Sequence, residues 1–257
     1  NQVRIAPGKC HRDVYFEMPD KEDPTKLVFG GTVAATCGSY SISRAIMSAP
    51  DYAYGTFRTL WTQSGGAIDR AGRIGIAPSN ARLLYEHDSL PLPDIIRLIN
   101  KYSNNVMARH LLLTLGAAKF GAPATAEGGR QAIIRWLASR GIEIPGLALE
   151  NGSGLSRTER VTARGLGELL DAAWHSPFMP EFAASLPLSA TDGTLRSRFD
   201  APGMQGRIRL KTGRIDDVSA LAGFVNAASG QTFVVVIIIN HPGAHRGTGE
   251  LLQSELV

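Results

Sequence analysis

The chain has 257 residues, a formal charge of +4 at pH 7 and 44% hydrophobic residues. This length and composition suffice for one large folded domain or for parts of two. The basic residues are spread along the chain, without a Lys/Arg block or interleaved aromatic residues, which argues against a nucleic-acid partner. The longest apolar run, residues 233–239, is too short to form a transmembrane segment.

The N-terminal part is predicted to form a small β-rich unit. Short β-like stretches lie at residues 13–16 and 27–33, and a helical pattern follows over residues 52–63. Glycines and a proline then interrupt the pattern, which predicts a break between domains. We therefore expect a first domain over residues 1–72 and a second over residues 73–257.

The second domain is predicted to combine helices with a C-terminal antiparallel sheet, an α+β fold. Helical patterns cover residues 92–101, 105–115, 126–140 and 163–173, and strand patterns cover residues 207–211, 219–226 and 232–240. Residues 233–239 are apolar at every position instead of alternating with polar ones. That strand is therefore predicted to be covered on both faces, with helices on each side of the sheet.

The cysteines and histidines give no indication of a metal site. Cys10 and Cys37 are the only cysteines, and they follow no zinc-ligand spacing, so a disulfide and two free buried thiols both remain open. The six histidines show no ligand spacing either. The glycine-rich stretch at residues 151–156 lacks a P-loop lysine and is predicted to be a turn. No cofactor is expected.

Two short stretches carry residue types suited to catalysis. Ser103-Asn104-Asn105 precedes a helical pattern, where Ser and Asn are preferred caps because their side-chain oxygens accept a free backbone N–H. Taken alone, the stretch is best explained by Ser103 as such a cap. Lys211-Thr212-Gly213 is predicted to end the first strand of the sheet, where an ammonium and a hydroxyl beside a residue without a side chain can hold a carboxylate. Taken alone, a solvated lysine at a strand end is the commoner explanation.

The combination of the two stretches is more specific. S-x-N and K-T-G occur in this order in penicillin-binding proteins and serine β-lactamases. Supporting stretches are HDSLPL at residues 87–92, NGSGLS at 151–156, DGTL at 192–195 and LKTGRIDDVSALAGF at 210–224. With these residues, the chain resembles the D-alanyl-D-alanine carboxypeptidase/endopeptidases of the penicillin-binding protein 4 type, the class C low-molecular-mass penicillin-binding proteins. The resemblance covers about residues 30–240.

The resemblance implies the serine β-lactamase/DD-peptidase (transpeptidase-like) fold, an antiparallel sheet flanked by helices. It also implies attack by a serine on a D-Ala-D-Ala peptide bond, through an acyl-enzyme. Carried onto this sequence, Ser103 would relay a proton toward the leaving amine. Asn105 would hydrogen-bond an amide of a peptidoglycan stem peptide.

The K-T-G strand would hold the other end of the substrate. By the same resemblance, Lys211 and Thr212 would bind the terminal carboxylate, and the strand after Gly213 would pair with the extended substrate. The N–H of Arg214 would complete an oxyanion hole. The family often has Thr at this last position, whereas this chain has Arg214, which adds a positive charge at the edge of the pocket. We expect this cation to attract the substrate carboxylate. A second departure, Asn104 where the family often has Asp, is mild.

The family's third motif, S-x-x-K, is absent. No serine is followed by lysine three positions later, and the nearest matches, Ser41 to Arg44 and Ser79 to Arg82, end in a residue that cannot act as a base. We expect the nucleophile segment to lie before Asn1, with residues 1–72 being the returning tail of an inserted domain. The chain alone would then form no covalent penicillin adduct.

Two alternatives remain: a non-catalytic homologue that binds peptidoglycan peptides, and a serine β-lactamase. For a peptidase, the expected partners are peptidoglycan stem peptides and β-lactams. Since such a substrate lies outside the cytoplasm, the resemblance implies a location in the periplasm or cell envelope. The oligomeric state is left open by the sequence.

Overall fold

The computed structural model describes residues 2–17, 28–38, 45 and 47–257, which divide into two compact units, Asn1–Glu86 and His87–Val257. The division falls later in the chain than the boundary placed from the glycines and proline. Residues 66–91 form neither helix nor strand. The predicted boundary lies inside this irregular segment, and the second unit begins near its end. The origin of the first unit as the tail of an inserted domain stays a prediction.

The described residues of the first unit form a three-stranded sheet, a short 3-10 helix (Ala35–Cys37) and one α-helix. Strands β1 (Gln2–Ala6), β2 (Arg12–Glu17) and β3 (Val28–Ala34) form the order β1-β3-β2, with β1 parallel and β2 antiparallel to β3. Both predicted β-like stretches lie in β2 and β3, apart from residue 27, which is outside the described residues. Helix α1 (Ala49–Gln63) begins at Ser48, whose hydroxyl accepts the N–H of Asp51.

A disulfide joins Cys10 to Cys37, which decides between the alternatives that the sequence left open. It links the residues between β1 and β2 to those that follow β3. The hydroxyl of Thr36 donates to the carbonyl of Gly8 at 2.8 Å, across the same gap. The covalent bond and the hydrogen bond together hold one end of this small sheet, where β1 and β3 finish and β2 begins.

The second unit contains the predicted helices and strands, with two further helices. The helices are α2 (Leu92–Tyr102), α3 (Asn105–Phe120), α4 (Ala126–Ser139), α5 (Ala163–Trp174), α6 (Met179–Ser185) and α7 (Thr248–Leu256). The strands are β4 (Ile208–Ile215), β5 (Val218–Asn226) and β6 (Thr232–Asn240), in the antiparallel order β4-β5-β6. Helices α6 and α7 were not predicted.

The K-T-G motif lies inside a strand, not at its end as predicted. Strand β4 continues past Gly213 to Ile215 and then turns at Asp217. Asp217 adopts a left-handed φ of 62° and accepts the N–H of Gly243 at 2.9 Å on its side chain. The strand therefore ends where this turn begins, four residues after Lys211.

Hydrophobic clusters pack on both faces of the sheet, but the apolar strand β6, predicted to be covered on both faces, is only partly covered and has no buried residue. One cluster contains Leu195, Phe199, Ile208, Leu210 and Leu221, and the other contains Leu170, Leu186 and Phe224. Neighbouring strand residues point to opposite faces, so Val235 packs against the first cluster and Val236 against the second. Phe233 and Val234, at the start of β6, stay exposed. Among the described helices, none has the length and hydropathy needed to span a bilayer.

Candidate active site

The junction between α2 and α3 places Ser103 in an unusual conformation. Ser103 ends α2 with φ 53° and ψ 48°, in the left-handed region. Asn104 caps α3, since its side-chain oxygen accepts the N–H of Met107 at 3.0 Å. The prediction of Ser103 as the cap was therefore wrong, because the adjacent amide performs that function. The Ser103 hydroxyl is thereby free for another partner.

That partner is Lys211, 108 residues further along the chain. The Lys211 ammonium donates to Ser103 Oγ at 2.7 Å and to the Thr212 carbonyl at 2.8 Å. Burial lowers the pKa of Lys211 to about 8, because a desolvated ammonium is less stable than a hydrated one. An amine with this pKa is present in both protonation states near pH 8, so the pair can pass a proton in either direction.

Asn105 connects Ser103 to the glycine-rich turn. In the orientation that satisfies its hydrogen bonds, its side-chain nitrogen donates to the carbonyls of Ser103 at 3.0 Å and Ser153 at 3.2 Å. The turn at residues 151–156 is observed as predicted, with the N–H of Ser153 bound to the side chain of Asn151 at 2.9 Å. Its contact with Asn105 was not predicted, because a turn motif carries no information about its tertiary neighbour.

The outer edge of β4 is open beside K-T-G. Leu210 donates its N–H to the carbonyl of Pro187 at 3.1 Å, away from β5. Since N–H groups alternate between the two edges of a strand, Thr212 and Arg214 direct theirs to the same edge. Leu188 forms an isolated antiparallel bridge with Arg209 at the start of this edge, and beyond it no strand in the described part of the chain pairs with the edge. Backbone donors are thus available where an extended peptide could be added.

Small and hydroxyl-bearing residues line the open end of β4. The hydroxyl of Thr212 donates to Oγ1 of Thr194 at 2.9 Å. A Cβ on Gly213 would meet only the Cβ of Ala220, at 3.5 Å. The space above Gly213, on the face where a side chain would lie, is therefore unfilled. Thr194 belongs to the DGTL stretch, which the sequence had singled out without giving it a role.

The Arg214 side chain already has an acidic partner. Its Nη1 donates to Glu250 of α7 at 3.0 Å, and both side chains are partly exposed to solvent. By strand alternation, Arg214 lies on the same face of β4 as Thr212. Its attraction for a substrate carboxylate stays a prediction, and Glu250 would compete for the same cation.

A groove of ≈ 920 Å³ runs from K-T-G along one face of the sheet. Its lining includes Lys211 and Gly213 of β4 together with apolar residues of α5 and α6, namely Leu166, Leu170 and Phe182. The groove therefore combines polar groups of the K-T-G motif with an apolar surface. In the described residues, no group of His, Cys, Asp and Glu side chains is placed to hold a metal ion.

Comparison with known proteins decides the family. Residues 12–251 match the D-Ala-D-Ala carboxypeptidase 3 (S13) family. The chain belongs to this family. Similar proteins include a D-alanyl-D-alanine carboxypeptidase of Actinomadura sp. (strain R39), 29% identical over 83% of this chain and 41% of the relative. The carboxypeptidase DacB of Mycolicibacterium smegmatis is 33% identical over 67% of this chain and 41% of the relative.

A solved structure supports the same assignment for this S13 chain. Penicillin-binding protein 4 (dacB) from Haemophilus influenzae, complexed with a β-lactam, matches with a TM-score of 0.75 and 25% identity. The match covers 99% of this chain and 63% of that one. The resemblance in family and fold stated from the motifs is confirmed. The chain spans about half or less of the length of the curated relatives, between 41% and 50%.

Proposed function

We propose that this chain is the substrate-binding and proton-relaying part of a serine D-Ala-D-Ala carboxypeptidase/endopeptidase that cleaves peptidoglycan stem peptides. The observation that carries the proposal is the hydrogen bond between Lys211 and Ser103 beside the open edge of β4. It joins two motifs that are far apart in sequence. The joined groups comprise a cation, a hydroxyl and free backbone donors, which are the groups that a peptide carboxylate and a developing oxyanion need.

In this mechanism, Lys211 and Thr212 bind the terminal carboxylate of the substrate. The peptide lies along the outer edge of β4 as an added strand, and Asn105 hydrogen-bonds one of its amides. The N–H of Arg214 donates to the carbonyl oxygen that becomes negative on attack. One such preorganised donor contributes about 3 to 4 kcal/mol to the transition state.

Proton transfer to the leaving amine passes through Ser103. When the scissile C–N bond breaks, the hydroxyl of Ser103 gives its proton to the departing nitrogen. Lys211 then returns a proton to Ser103 Oγ along the 2.7 Å hydrogen bond. The pKa of Lys211, lowered to about 8, allows this transfer near neutral pH.

The attacking serine is proposed to lie in a part of the protein outside residues 1–257. Two observations support this: the sequence holds no S-x-x-K, and the chain spans only part of its relatives. The apolar part of the groove lining, formed by Leu166, Leu170 and Phe182, would accommodate the helix that carries this serine. Activity on a peptidoglycan substrate places the protein in the periplasm or cell envelope.

A non-catalytic peptide-binding homologue is the second candidate, since the absence of S-x-x-K within residues 1–257 favours it. Both candidates require that the K-T-G strand binds D-Ala-D-Ala. They differ in whether a protein that also contains the preceding segment is acylated by a β-lactam. A serine β-lactamase would release the acyl group rapidly instead of retaining it.

The binding step can be tested on the chain itself by NMR, with isotope-labelled lysine and backbone amides. A blocked tripeptide ending in D-Ala-D-Ala is expected to shift the signals of Lys211 and of the Arg214 amide. The peptide ending in L-Ala-L-Ala should leave them in place. Lys211→Met should abolish the Arg214 response, while Lys119→Met, in α3, should retain it. An equal response to both peptides would disprove the proposed specificity.

A further inference from the structure

A partly buried ion pair lies beside the site motifs, with the lysine side chain buried and the aspartate side chain 39% exposed. The side chain of Lys101 is 11% exposed, and its ammonium donates to both carboxylate oxygens of Asp192, at 2.8 and 2.7 Å. Its third donor is bound to the carbonyl of Leu186 at 2.6 Å. Asp192 also accepts the N–H of Leu188 at 2.9 Å. This pair, called the brace below, is thus fixed at both ends.

Each member of the brace lies two residues before a site hydroxyl. Ser103 follows the lysine and Thr194 follows the aspartate. Ser103 accepts from Lys211 at 2.7 Å, and Thr194 accepts from Thr212 at 2.9 Å. Lys211 and Thr212 are neighbours in β4, so the brace, the two hydroxyls and the K-T-G strand form a closed ring of contacts.

The two arms of this ring also touch through their backbones. Gly193 has a φ of 57°, which favours glycine, and a Cβ at this position would lie 2.6 Å from the carbonyl oxygen of Lys101. The arm that carries Thr194 is therefore packed directly on the last turn of α2. A displacement of the segment that carries Thr194 would therefore also displace the end of α2 that carries Ser103, and the reverse.

We infer that the brace is a positioning device for the reaction proposed above, on which this inference rests. It holds Ser103 and Thr194 against the K-T-G strand and contacts no substrate itself. Ser103 stands in the left-handed region, which a residue with a side chain rarely adopts unless its surroundings impose it. The ion pair two residues earlier is the anchored point that imposes it.

The test is an NMR titration of the whole chain with labelled lysine, which gives few signals because there are six lysines. Lys101→Met removes one charge of the brace. As the ring loosens, water reaches Lys211, and its pKa is expected to rise from about 8 toward its ordinary value, by about one unit or more. The ¹³C shifts of Ser103 should leave the left-handed range.

Asp192→Asn is the conservative variant. It keeps the shape of the side chain and an acceptor oxygen, so it should give a smaller rise in the pKa of Lys211. Leu137→Ala, which truncates a buried residue of α4 outside the ring, is the control for general destabilisation. It is expected to lower the melting temperature without moving that pKa.

An unchanged pKa in the folded brace variants, or an equal rise in Leu137→Ala, would overturn the inference. If Lys101→Met does not fold, Asp192→Asn decides alone: a rise supports the brace and no rise refutes it. The titration needs no substrate. A negative result would therefore refute the brace without affecting the proposal that the chain binds D-Ala-D-Ala. If the wild type did not bind the peptide, the inference about the brace would not be affected.

Discussion

Replacing Gly213 by alanine should separate folding from ligand binding at the K-T-G strand. The new methyl group would lie 3.5 Å from the Cβ of Ala220, an ordinary contact, and Gly213 does not have a left-handed φ. Glycine within a strand is less stable than alanine by about 0.5 to 1 kcal/mol. The free energy of unfolding of Gly213→Ala should therefore equal that of the wild type or exceed it by up to about 1 kcal/mol.

The same methyl group should obstruct the ligand. By strand alternation it points to the face that carries Lys211, where the groove would receive the substrate. An extra methyl group in a close contact costs about 1 to 3 kcal/mol, which corresponds to roughly 5- to 150-fold weaker binding. A variant that is as stable as the wild type and yet binds poorly is the expected signature of a site residue.

Gly223 on the neighbouring strand is the matched control. It has a φ of 153°, and a Cβ there would lie 2.2 Å from the carbonyl oxygen of Arg209. Gly223→Ala should therefore lower the free energy of unfolding by about 1 to 3 kcal/mol. Urea unfolding followed by circular dichroism measures stability, and the NMR titration with D-Ala-D-Ala peptide measures binding. Wild-type affinity in Gly213→Ala would refute the placement of the substrate beside this residue.

Three further predictions concern stability. Because the pKa of Lys211 is lowered to about 8, the unfolded chain binds more protons between about pH 8 and 10.5, so stability should rise with pH across that window. The slope is at most about 1.4 kcal/mol per pH unit, and urea unfolding should show that Lys211→Met lacks it. Reducing the Cys10–Cys37 disulfide, which spans 27 residues, should destabilise the first unit by about 3 to 4 kcal/mol, and calorimetry should show the second unit unaffected. Phe224→Ala should cost about 3 to 5 kcal/mol in urea unfolding, because its ring packs 5.0 Å from that of Trp174.

Regular hydrophobic patterns predicted most elements of the second unit. The helices from α2 to α5 follow from helical periodicity, and β6 follows from an uninterrupted apolar run. Helix α6 has only seven residues, too few for a pattern to be recognised. Helix α7 is positioned by a tertiary contact, since the buried Gln253 donates to Ser219 at 3.0 Å. No pattern in the sequence around Gln253 predicts that contact.

The candidate site was predictable as far as its motifs reach. The order of S-x-N and K-T-G predicted that the side chains of Ser103 and Lys211 would lie in one cleft. In the structure, Lys211 Nζ lies 2.7 Å from Ser103 Oγ. The capping role was assigned to the wrong neighbour, because Ser103 and Asn104 have nearly equal capping preferences. The brace was not foreseen, since its two members are 91 residues apart and only the fold brings them together.

The most direct test of the account is acylation by benzylpenicillin, followed by intact mass and peptide mapping. A protein that includes the Ser-x-x-Lys segment should gain one adduct on that serine, and Ser103→Ala should slow its formation by roughly 100-fold or more, as expected for the loss of a proton-transfer group. Residues 1–257 alone should stay unmodified. An adduct on a serine within this chain, or an unchanged rate in Ser103→Ala, would contradict the account.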